Sequence, residues 1–161
     1  MADEEKPKII TPPNTLKSKV KTGGPGAVDE AALERAEAVI EGLTGSYLEW
    51  VQDDLKKLQA AFDQFVADNN AENLDKIFQI SHDIKGQGGS FGYKLMTAVG
   101  NELCRFIEKT ETVTPQTAEA IRLHVETLKI IIGRDLKGDG GKEGEALLVG
   151  LQQVSDKLLE G

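Results

Sequence analysis

Four stretches of this chain repeat apolar residues at intervals of three and four, a spacing that buries itself only when helix packs on helix. Leu48, Val51, Leu55, Leu58, Phe62 and Phe65 make the first seam. Leu74, Ile77, Ser81, Ile84, Gly88 and Phe91 make the second, Leu95, Val99, Leu103 and Phe106 the third, and Ile121, Val125, Leu128 and Ile132 the fourth. The punctuation agrees with the period. Ser46 with Glu49 reads as a capping box opening a helix that runs to about Asp68, and Asn69 with Glu72 repeats the N-cap signature. Gly92 supplies a C-terminal cap to the second helix, and Thr114-Pro115 sets a cap before a proline at the first helical position. No segment alternates as a strand does. The pattern predicts an all-α fold, an antiparallel four-helix bundle over roughly residues 46–136 with short accessory helices at both ends. The first accessory helix carries Leu33, Ala36, Ile40 and Leu43 and ends near Gly42 and Gly45; the last carries Leu147, Leu151, Val154 and Leu158.

At 161 residues the chain suits one ordinary domain with tails. Residues 1–28 mix prolines and glycines without periodicity and are expected to be a disordered tail. Residues 29–136 form the bundle with its N-terminal helix, and 137–161 a glycine-rich linker and C-terminal helix; Gly133 to Gly144 is expected as a linker or mobile loop. Cys104, the one cysteine, leaves no disulfide framework and no thiolate metal cluster. No apolar run reaches membrane length, and Met1-Ala2-Asp3-Glu4-Glu5 lacks the features of a secretory signal, so a soluble cytoplasmic protein is expected. Five lysines against three acids make the first 26 residues basic and leave the rest more acidic than the overall charge of −8. An acidic body argues against a nucleic-acid surface, and the lysines read as a solvated tail.

The second seam contains Ser81-His82-Asp83-Ile84-Lys85-Gly86. At 100° per residue Ile77, Ile80, Ile84 and Phe91 lie opposite His82, whereas Asp75, Phe78, Gln79, Lys85, Gly86 and Gly89 share its side. Isoleucines facing the core put His82 in solvent, with Lys85 and Gly86 as its neighbours one turn on. An uncharged imidazole is a nucleophile, a lysine offers a point charge to phosphoryl oxygens, and bare positions at Gly86 and Gly89 let another protein come close. Phe78, one turn earlier, is expected as an exposed apolar anchor, beside Gln79. Each interior glycine costs ~1 kcal/mol relative to alanine, so the two require a reason.

His82, Lys85, Gly86 and Gly92, with Ile84 and Phe91 between them, resemble the signature of the histidine phosphotransfer (HPt) domains of two-component phosphorelays. The resemblance covers most of residues 46–136 and departs from the common pattern at Gln87, Gly88 and Gly89, where serine or alanine is usual. It implies that His82 is the phosphoacceptor, that Lys85 stabilises the phosphoryl group, and that Phe78, Gln79, Gly86 and Gly89 meet the partner. It further implies a monomeric phosphoryl carrier, not an enzyme with its own kinase activity, that relays phosphoryl groups between receiver-domain aspartates. The partners would be receiver domains of response regulators and a hybrid histidine kinase, with the Mg²⁺ supplied by the receiver and no cofactor or metal of the chain's own. The alternative is a non-catalytic module that binds or sequesters a receiver.

Ser81-His82-Asp83-Ile84-Lys85 is also similar to the phosphoacceptor box of dimeric sensor kinases. That box continues with threonine or asparagine and then proline, where this chain has Gly86-Gln87, and no ATP-binding domain follows. Autophosphorylation is therefore not expected. His124 reads as a packing or surface residue, Cys104 as a small, partly buried apolar one, and Tyr47 and Trp50 as braces for the first helix in preference to an extension of the docking patch. The scattered carboxylates form no catalytic pair.

Overall fold

The computed structural model describes residues 29–160. Its elements are α1 (Glu30–Ala67), α2 (Ala71–Gly88), a 3-10 turn (Gly89–Phe91), α3 (Lys94–Lys109), α4 (Pro115–Gly133) and α5 (Gly141–Glu160). No strand occurs among the described residues. The expected tail over 1–28 lies outside them. The chain divides into two compact units, Met1–Gly45 and Ser46–Gly161. In the first, the described residues are the opening turns of α1, where the Asp29 carboxylate accepts from the Ala31 N–H at 3.2 Å and the Thr44 hydroxyl donates to the Ile40 carbonyl at 3.0 Å.

Ser46 does not start a helix: α1 is helical on both sides of it. A glycine stops a helix by turning left-handed, and Gly42 and Gly45 are absent from the positive-φ glycines. With the helix unbroken, the Ser46 signature has no first turn to cap. The cap of α2 also shifts by one residue. Asn70, not Asn69, accepts from the Asn73 N–H at 2.8 Å, while the Asn73 amide donates to the Asp68 carbonyl at 2.7 Å and ties the α1–α2 turn. Thr114 caps α4 as expected, with Thr117 completing a reciprocal box ahead of Pro115.

The four seams meet in one core within the second unit. Leu58, Phe65, Ile77, Ile84, Met96, Val99, Leu103, Ile121, Val125 and Leu128 are fully buried together. Consecutive helices run antiparallel. Gly88 and Lys85 of α2 meet Met96 and Gly100 of α3 in descending order, and Gln59 of α1 takes a hydrogen bond from Lys129 of α4. Tyr47 is buried, stacked on Phe91 with ring centroids 4.8 Å apart and on Tyr93 at 5.6 Å. Trp50 meets Phe91 edge-on and remains half exposed. The two aromatics thus brace the far end of α2.

The C-terminal helix is as long as its neighbours and belongs to the core. It begins at Gly141, well before the first apolar residue of its seam, and buries Leu151 against the bundle. Asp156 accepts from Arg105 of α3 at 2.9 Å, and Arg105 also pairs with the buried Glu102. The glycine-rich stretch ahead of it is tied rather than loose. The Gly138 N–H donates to the Gly92 carbonyl at 2.6 Å, its carbonyl accepts from the Leu95 N–H at 2.8 Å, and the Tyr93 hydroxyl donates to Asp135 at 2.5 Å. Backbone groups that a free loop would leave to water are thereby paired with the α2–α3 turn.

Candidate functional site

The seam Ile77, Ser81, Ile84 and Gly88 is the buried stripe of α2, and it fixes which residues the helix shows to solvent. His82, Asp83, Gly86, Gln79 and Gly89 are exposed. His82 sits mid-helix, with the Phe78 ring one turn back at 6.2 Å and tilted 31°. Phe78 is half-buried, a correction to its expectation as an exposed anchor: it leans toward α3 and lines a shallow groove with Leu74, Asp75, Ile107 and Glu108. Nothing lies within 4 Å of where a Gly86 Cβ would be, so the surface one turn beyond His82 is bare.

Charge is divided between the two flanks of α2. Toward α1, burial raises the carboxyl of Asp54 above the usual carboxylate range; Lys57 opposes this, and Asp83 and Asp53 add to it. Toward α3 lies the cation. Lys85 is half-buried, its ammonium 3.5 Å from the Asn101 amide oxygen, and it offsets part of the rise that burial imposes on the Cys104 thiol. Asp53, Asp54 and Asp83 are thus coupled on the α1 side of the helix, and the Lys85 ammonium lies on the α3 side.

The departure at Gly88 has a packing cause. A Cβ there would lie 2.9 Å from both the Met96 Cβ and the Tyr93 carbonyl oxygen, so only a glycine lets α3 start this close to α2. Gly89 has room, its nearest neighbour being the Thr97 hydroxyl at 3.5 Å. Gly92, at φ 88°, closes the turn: its N–H reaches the Gly89 carbonyl while the Tyr93 N–H reaches Gly88, the paired bonds of a Schellman termination.

The second histidine has a different setting. His124 is fully buried, stacked on Phe106, with Nδ1 donating to the Ala120 carbonyl at 2.7 Å and Nε2 facing the Ser155 hydroxyl at 3.5 Å. Burial lowers its pKa, which keeps the imidazole neutral, and it is a core residue. Three α3 residues in contact with the Lys85 turn, Thr97, Gly100 and Asn101, did not emerge from the sequence. Their spacing of three and one marks a common helix face, but only the fold shows which helix that face meets.

No group of three or more His, Cys, Asp or Glu that could hold a metal ion occurs among the described residues. None of their helices is long and apolar enough to cross a membrane. A family model described as Hpt domain matches residues 42–130, a span that includes His82 and every seam residue except Ile132. No curated protein and no solved structure matches the chain.

Proposed function

The chain belongs to the Hpt domain family, whose role is histidine phosphotransfer in two-component signalling, and on that premise we propose that His82 is its phosphoacceptor, relaying phosphoryl groups between receiver-domain aspartates. The observation that carries this reading is an exposed imidazole mid-helix, with a bare glycine one turn on and a lysine beside it. An unprotonated ring nitrogen of His82 attacks the phosphorus of an aspartyl phosphate, forming the N–P bond as the P–O bond to the aspartate breaks. The aspartate leaves as carboxylate, and the reverse step discharges the histidine onto a second receiver. Mg²⁺ comes with the receiver domain and offsets phosphoryl charge there. Lys85 supplies a cation from this chain toward the same oxygens. Gly86 and Gly89 leave the receiver's loops room to reach the ring, and Gln79 and Phe78 contact it beyond. The protein carries the phosphoryl group and uses no nucleotide of its own.

The test is transfer from a panel of phosphorylated receivers, with Mg²⁺, to wild type and His82→Gln. Label in wild type alone, labile in acid and stable in alkali, is the expected result. Label persisting in His82→Gln would move the phosphoacceptor elsewhere, and receiver binding without any label would favour a sequestering module.

A further inference from the structure

Lys85 is held from one side by three residues of α3. A Cβ on Gly100 would lie 3.1 Å from the Lys85 Cβ and 3.2 Å from its Cα, so α3 meets the lysine at its root. The Thr97 hydroxyl accepts from the Gly89 N–H and donates to the Lys85 carbonyl, both at 2.8 Å, fixing the backbone of that turn. Asn101 then offers its amide oxygen to the ammonium at 3.5 Å. Helical side chains lean toward the N-terminus of their helix, so the patch that Lys85 covers is the turn containing His82.

We propose that Asn101 is a positioning residue for phosphoryl transfer, holding the Lys85 ammonium on the α3 flank level with His82. The proposal rests on the reading of Lys85 as the cation that serves the phosphoryl group. Two properties suit Asn101 to the task. Its oxygen is neutral, so the ammonium is steered without losing charge, and the contact is long, so phosphoryl oxygens displace it readily. A carboxylate at this place would form an ion pair that competes with the phosphoryl group for the same cation.

The experiment measures the first-order transfer rate to His82 at saturating phosphorylated receiver, together with thermal midpoints, in wild type, Asn101→Asp, Asn101→Gln, Lys85→Ala and the double variant Lys85→Ala/Asn101→Asp. Asn101→Asp is expected to slow transfer about two- to fivefold, the scale of an exposed ion pair, at an unchanged midpoint. Asn101→Gln keeps the neutral oxygen and is expected to stay near wild type. In the Lys85→Ala background the aspartate's effect should vanish. A rate unaltered by Asn101→Asp overturns the proposal, and so does an equal loss with Lys85 absent, which would mean plain repulsion. A Lys85→Ala rate equal to wild type, or no label in wild type, would instead remove the premise, and the proposal with it.

Discussion

Gly88 of α2 and Met96 of α3 approach so closely that a Cβ on the glycine would lie 2.9 Å from the methionine's Cβ. The Tyr93 carbonyl is equally near, and backbone cannot swing aside as a flexible side chain can. Gly88→Ala is therefore expected to destabilise the protein by about 1–3 kcal/mol, the cost of overpacking, read as a lower urea midpoint. Gly86→Ala is the control. With open space around it and a helical backbone, it is expected to hold or raise stability by up to ~1 kcal/mol.

A larger side chain at Gly86 separates folding from docking. A Cβ at Gly86 meets nothing within 4 Å, so the unfolding midpoint of Gly86→Leu should be no lower than wild type. The isobutyl group would stand on the bare surface beside His82. Receiver affinity measured by calorimetry should fall, and an unchanged Kd would remove Gly86 from the proposed interface.

His124 makes stability depend on pH. Burial depresses its pKa below the ordinary 6.5, so below that value the unfolded chain takes up a proton that the native protein resists. Stability from this residue is complete above pH 6.5 and is lost as pH falls toward the native pKa. Urea midpoints between pH 7.5 and 5 should decline, and His124→Gln should flatten that slope even if it lowers every midpoint. An unchanged slope would assign the pH dependence to other groups.

Arg105 and Asp156 differ in what their loss leaves behind. Arg105→Met strands Glu102, which is buried, and should cost about 3 kcal/mol, the low end for a broken buried pair. Asp156→Asn removes an exposed partner and should cost ~1 kcal/mol or less. Equal effects in chemical denaturation would mean that Glu102 reaches solvent when unpaired.

What could be read in advance follows from the range of each interaction. The seams through Leu58, Ile77, Leu103 and Val125 are local periodic signals, and each proved buried. The exposed face holding His82 followed from the same period, as did the Thr114 cap. Ser46 misled because a cap signature is silent on whether the helix has already begun. Gly88 stood out only as a departure from the family pattern, because its cause is Met96, across a helix-helix contact that spacing does not reveal. The Gly138 ties and the Asn101 contact with Lys85 are likewise products of tertiary geometry.

The stretch that defines the family and the stretch that folds have different lengths. Recognition ends at residue 130, yet the helix that covers His124 and carries Leu151 lies entirely beyond it. A fragment trimmed to the recognised span would expose an imidazole and an apolar strip of α4 and leave the Gly92 carbonyl without its partner. In this protein the C-terminal helix is an outer wall of the bundle, joined to α3 through Arg105 and Asp156 and set against α4 where Ser155 faces His124.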